Sequence, residues 1–129
     1  MTLFVAGAAA QKYLVKLQEQ QEILAWVADM VIHTFAMESV MLRTLRLAAD
    51  RSEEELAGYT AAVRFAVEEG FQLIEGRGRS VLAATAAGEE LRSMLSMWKK
   101  LTRRETFDLV AAGHAVAAAV VEREGYPFV

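Results

Sequence analysis

The sequence predicts an all-α protein, an up-and-down bundle of four to five helices forming a single domain over residues 1–129. Three observations carry that expectation. Ala, Leu, Glu, Gln, Arg and Met, all good helix formers, dominate the chain, and its only proline is Pro127. No stretch alternates apolar and polar residues as a half-buried strand would. Apolar residues recur instead every three or four positions over long segments, and the connections between segments are short, which makes consecutive helices antiparallel neighbours.

The first helix is expected over about Thr2–Gln18, because Leu3, Gly7, Ala10, Leu14 and Leu17 share one face. The polar patch Gln18, Glu19, Gln20, Gln21 and Glu22 reads as a reversal, with one continuous helix as the alternative, since neither Gly nor Pro forces a break there. A second helix to about Ala49 would be roughly 40 Å long. Ile23, Leu24, Val27, Val31, Ile32, Phe35, Val40, Leu42 and Leu45 cover most directions of its wheel, so a central and largely surrounded position is expected. Ser52 followed by Glu55 is a capping box that starts a third helix. Its stripe of Leu56, Tyr59, Val63, Ala66, Val67, Gly70 and Ile74 is expected to end at Gly76 and Gly78, with a turn at Gly76–Ser80. A short helical piece to Ala87 then leads to a helix over Glu89–Leu101, with Leu91, Met94, Leu95, Trp98 and Leu101 on one face and Lys99, Lys100 and Arg103 on the other. The last helix is expected over about Phe107–Glu124, stopped by Gly125 and Pro127.

Hydrophobic residues make up 54% of the chain, somewhat above the usual share, so apolar surface is left over to face a partner. The net charge of −3 and a pI near 5.4 lack the broad positive field that nucleic-acid binding requires. The absence of cysteine excludes thiol catalysis, disulfides and thiolate metal sites, and it agrees with a reducing compartment, the cytoplasm by default. The opening MTLFVAGAAAQ lacks the positive region of a secretory signal. The longest stretch without charge, Leu109–Val121, is too short to span a bilayer, so no membrane crossing is expected.

Polar groups planted among apolar ones are the candidate sites. Asp29 and His33 are four apart on one helix and could form an oriented base, but neither a cysteine nor a strained serine motif accompanies them, which favours a local pair. Neither His33 nor His114 has a Glu three positions before it, so the two-metal carboxylate pattern of helical bundles is missing and no metal site is expected. Glu38 has no basic residue three or four positions later; if buried it needs a partner on another helix, Arg64 being one, and if exposed it needs none. Asp29, Glu38 and Arg43 are expected as inter-helix or docking pairs. The segment Lys99, Lys100, Arg103 and Arg104 beside an apolar stripe suits contact with an anionic surface, or simply a solvated helix end. The G-x-G at Gly76–Gly78 follows a helix and not a strand, so it is no phosphate loop.

The segments GAAAQKYLVKLQEQQEILAWVADMVIHTFAMESVMLRTLRLA, residues 7–48, and LSMWKKLTRRETFDLVAAGHAVAAAVVEREGYPF near the end resemble the carboxy-terminal helical domain of acyl-CoA dehydrogenases of the very-long-chain type, including bacterial relatives. Ala28-Asp29, Ala36-Met37-Glu38-Ser39 and Leu42-Arg43 are the most specific part of the likeness. The resemblance implies a flavoprotein family that desaturates acyl-CoA thioesters in fatty acid oxidation with FAD and a glutamate base, both held in upstream domains that this chain does not contain. It therefore implies no catalytic, flavin-binding or metal-binding residue here, and no activity for the chain alone. It also implies docking on a catalytic body, or self-association as a homodimer, with membrane-surface contact in some members. A chain that starts inside a helical pattern is expected to be detached from such a body. The alternative is a free-standing helical module that dimerises through its first and last helices.

Overall fold

The computed structural model describes residues 1–125, apart from the side chains of residues 53–55. Among them there is no strand. The elements are α1 (Thr2–Tyr13), a 3-10 segment (Leu14–Glu19), α2 (Gln21–Ala48), α3 (Glu53–Thr85), α4 (Gly88–Leu101) and α5 (Leu109–Arg123). The chain is all α, as its composition predicts, and divides into two compact units: Met1–Thr34 with Phe71–Glu105, and Phe35–Gly70 with Thr106–Val129.

The first unit is a four-helix, up-and-down arrangement whose directions follow from its cross-links. Thr2 Oγ1 at the start of α1 meets Thr34 Oγ1 at 3.2 Å, so α1 and α2 run antiparallel on either side of Gln20. Tyr13 Oη, at the other end of α1, donates to the carbonyl of Ala84 near the end of α3 at 3.0 Å. Val5, Ala9, Ile23, Met30, Ile74, Val81, Leu82, Ala86 and Trp98 are buried between these helices. Thr85 and Thr102, the buried polar residues, bond back to the carbonyls of Leu82 and Trp98, which removes the cost of an unmade hydrogen bond.

α1 stops at Tyr13, short of the expected Gln18. Leu14 turns into a positive-φ conformation (φ 48°, ψ −123°) and the chain tightens into a 3-10 segment before the reversal at Gln20. A larger departure concerns α3, which passes through Gly76 and Gly78 without a turn and continues to Thr85. Each glycine costs about 1 kcal/mol of helix propensity. That cost is outweighed because Ile74, Gly78, Val81, Leu82 and Thr85 keep one face of the same helix buried. The turn lies instead at Ala86–Ala87, with Gly88 at φ +59° opening α4.

In the second unit the connection after α2 is short, closed by Asp50 N–H to the Leu47 carbonyl at 3.3 Å, so the end of α2 and the start of α3 are antiparallel. The Ser52 carbonyl accepts from Leu56 N–H at 3.1 Å; the capping role expected of Glu55 falls outside the described side chains. α5 begins at Leu109 rather than Phe107, because Asp108 caps it by accepting from Ala111 N–H at 2.9 Å. It ends with Glu124 in the left-handed slot, Glu124 N–H on Val121 and Gly125 N–H on Val120, a Schellman pattern; Pro127 lies outside the described residues. Among the described residues, Tyr59 and Ala112 are the buried apolar side chains of the second unit, so this core is thinner than the first.

α2 is not surrounded as the spread of its apolar residues predicted. Ile23 and Met30 are buried, and Trp26, His33, Met37, Val40, Thr44 and Leu47 are half-buried on the same side. Leu24, Val31, Ile32, Phe35, Leu42 and Leu45 are exposed on the other. Its length and a mean hydropathy of 1.4 meet the composition of a membrane span, which a count of uncharged stretches did not anticipate. The same residues equally describe a helix with one face in a protein core and a second face for a protein partner.

Candidate functional site

Two side-chain clusters organise the first unit. In one, Arg77 of α3 sits with its Nε 3.4 Å from Asp29 Oδ2 of α2 and its guanidinium 5.7 Å from the centre of the Trp26 ring, one turn earlier on the same helix. Both charges are about two-fifths exposed, so the pair orients the helices more than it stabilises them, at about 0–1 kcal/mol. In the other, Trp98 of α4 is fully buried with its indole edge laid on Gly78. A Cβ at Gly78 would fall 2.9 Å from Trp98 Cε2 and closer still to Cζ2 and Cη2. The Trp98 Nε1–H donates to the Glu75 carbonyl at 3.3 Å, and the Glu75 carboxylate accepts from Arg104 at 2.9 Å. Arg104 in turn lies 4.5 Å over the Phe71 ring. One turn of α3 thus holds the end of α4 by close packing, a hydrogen bond and an ion pair.

The second unit contains an open groove of about 770 Å³ between the first turns of α3 and the start of α5. Leu56, Ala57, Ala61 and Ala112 give it apolar walls, and Arg64 lies at its edge with the guanidinium 5.3 Å from the Phe107 ring centre. Gly113 leaves room for the Phe65 ring, which a Cβ there would approach to 3.3 Å.

Asp29 therefore meets Arg77 and not His33, which is half-buried on the inner side of α2. Glu38 is exposed, and Arg64, the partner expected for a buried Glu38, is on Phe107. Arg43 is exposed. Of the basic segment, Lys99, Lys100 and Arg103 are exposed, while Arg104 is drawn onto Glu75 and the Phe71 ring. His114 is exposed on α5, and among the described residues no three His, Asp or Glu side chains gather in a way that would hold a metal. The residues that sequence reasoning missed are Arg77, Glu75 and Gly78. The four-residue spacing of Ile74 and Gly78 signals a helix that continues through the glycines; no comparable spacing marks Glu75 or Arg77.

Comparison with known proteins places this geometry. The family described as "Acyl-CoA dehydrogenase, C-terminal domain" matches residues 1–100. A "Probable acyl-CoA dehydrogenase" of Bacillus subtilis (strain 168) is 39% identical over 126 residues, which is 98% of this chain and 21% of the relative. The crystal structure of an acyl-CoA dehydrogenase complexed with FAD from Bacillus anthracis superposes with a TM-score of 0.92 at 37% identity, over 97% of this chain and 22% of that one. The chain spans about a fifth of the length of these relatives.

At the groove of the second unit, the described residues offer no seat for the pyrophosphate of a flavin dinucleotide. A dinucleotide pyrophosphate needs converging N–H donors, typically at a free helix N-terminus. At the groove, the N-terminus of α5 is already occupied by the carboxylate of Asp108, which would repel a phosphate, and the neighbouring cation Arg64 is stacked on Phe107. Among the described residues no buried side-chain polar atom lacks a hydrogen-bond partner that a cofactor would supply.

Proposed function

The chain belongs to the acyl-CoA dehydrogenase C-terminal domain family, and from that premise we propose that it is a non-catalytic accessory domain of an FAD-dependent acyl-CoA dehydrogenase of fatty acid oxidation. It docks on the flavin-carrying body of such an enzyme and shapes the enzyme's assembly. The observation that carries this reading is the outer face of α2, where large apolar side chains stand in water along one side of the helix. Isolated apolar residues on a surface are ordinary, but a run of them along one face marks a surface that is covered in the working assembly. The thin core of the second unit agrees, since a domain built to pack on a larger body needs less interior of its own.

FAD and the base then belong to the body, and the chain alone neither retains FAD nor oxidises acyl-CoA. Purified chain mixed with FAD, palmitoyl-CoA and an electron acceptor is expected to give no turnover above background; sustained acceptor reduction that depends on the chain would sink the reading.

A second reading is favoured by the exposed Leu3 of α1 and Val110 and Val121 of α5. In it the chain is a free-standing module that dimerises through its first and last helices. Light scattering separates the two: a specific dimer at micromolar concentration, abolished by Leu3→Asp or Val121→Asp, supports the module, and a monomer supports the docking domain.

A further inference from the structure

The outer face of α2 has a pattern as well as an area. Leu24, Ala28, Val31, Phe35, Leu42 and Leu45 are all exposed, with Val31 at 52%, Phe35 at 70%, Leu42 at 58% and Leu45 at 67%. Together with Glu38 they follow one another at alternating steps of four and three residues without a break. That alternation has a mean period of about 3.5, the spacing of a coiled-coil seam, and it is narrower than the stripe by which a helix joins a globular core. Each side chain of such a row is a knob that fits the hole between four residues of a facing helix. The outer side of α4 offers nothing comparable, since Glu89, Glu90, Arg92, Lys99 and Lys100 keep it in water.

Glu38 decides which helix fits. It is exposed, it lies in the seam between Phe35 and Leu42, and none of the ion pairs among the described residues includes it. A second copy of α2 laid parallel would set Glu38 against Glu38. Laid antiparallel with the whole seam packed, each Glu38 would lie across from Val31 of the second copy. Either arrangement desolvates two carboxylates with no cation opposite, which costs several kcal/mol per charge. A different helix with an Arg or Lys at the matching position removes that cost and fixes the register, as single polar positions do in coiled coils.

Building on the docking reading above, we infer that the outer face of α2 is a heptad seam that receives one α-helix of the flavin-carrying body of an acyl-CoA dehydrogenase, with a basic residue of that helix opposite Glu38. The coupling is specific and not merely adhesive, because a helix shifted by one layer would lose the ion pair while keeping its apolar contacts.

Hydroxyl-radical footprinting tests this on two proteins: the isolated chain, and a chimera in which it replaces the matching fifth of the Bacillus subtilis relative. Oxidation of Phe35, Leu42 and Leu45 is expected to fall about fivefold or more in the chimera, as side chains pass from exposed to packed. Protection confined to other helices would overturn the seam and leave docking standing. Protection nowhere would overturn docking and the seam together. Protection in the isolated chain that grows with its concentration would assign the seam to a second copy and overturn the partner named here. The intact Bacillus subtilis enzyme, footprinted over the segment that matches residues 24–45, reads the same pattern without a graft. Glu38→Lys should lower the chimera's Tm more than Glu38→Gln, with neither affecting the isolated chain; equal effects would overturn the opposing cation.

Discussion

Gly76 and Gly78 stand two residues apart in α3 and differ in what a methyl group would meet. Nothing lies within 4 Å of a Cβ at Gly76, whereas one at Gly78 runs into the Trp98 ring. Gly76→Ala should therefore stabilise the chain by about 0.5–1 kcal/mol through helix propensity alone. Gly78→Ala gains the same propensity but must displace a buried indole, and should destabilise by about 1–3 kcal/mol net. Urea denaturation of the two variants reads the contrast, and a stabilised Gly78→Ala would refute the Trp98 seat. Leu14 offers a third residue-scale test. Its positive φ is strained for a branched side chain that is largely exposed, so Leu14→Gly should raise stability by about 1 kcal/mol despite the entropy cost of glycine, measured in the same way.

At the scale of elements, α4 joins a buried Trp98 to a basic end, and the four cations of that end have different roles. Arg104 is held by Glu75 and the Phe71 ring with about a quarter of its side chain exposed, so Arg104→Ala should cost about 1–2 kcal/mol. Lys99→Ala, Lys100→Ala and Arg103→Ala should each change stability by no more than about 0.5 kcal/mol, as exposed side chains do. Thermal denaturation of the four single variants checks the order. α2 teaches a related lesson: its apolar residues point in most directions, yet the helix has two distinct faces. Phe35→Glu on the outer face should leave Tm nearly unchanged while reducing the binding of an apolar dye.

For the whole molecule, the distribution of buried residues predicts uneven stability. The first unit holds nine of the eleven buried apolar side chains among the described residues, while the second is closed by Tyr59 and Ala112. Local opening follows the density of buried contacts. Amide hydrogen exchange should accordingly show α5 opening at a free energy about 1–3 kcal/mol below that of α4 in the isolated chain. Equal protection of the two helices would mean that the second unit is stabilised by something other than its buried side chains. Docking on a larger body should raise protection in α5 as well as in α2 if it closes the second unit.

The all-α class, the helices apart from the continuation of α3 past Gly78, the reversal near Gln20 and the family were legible in the sequence, because helix propensity, three-four spacing and the segments around Ala36-Met37-Glu38-Ser39 are local properties of the chain. The continuity of α3 was decided elsewhere, by an indole twenty residues downstream that needed the missing side chain of Gly78. Partner choice was decided the same way: Asp29 has a histidine one turn along its own helix, but the packing of α3 against α2 brings Arg77 to it instead. Which side of α2 faces out was likewise a tertiary matter. Both sides are apolar in sequence, and the side opposite Ile23 and Met30 is left to water because the neighbouring helices cover only one. Local energetics set where helices can form; which of their faces are buried depends on surfaces that the linear order of residues does not bring together.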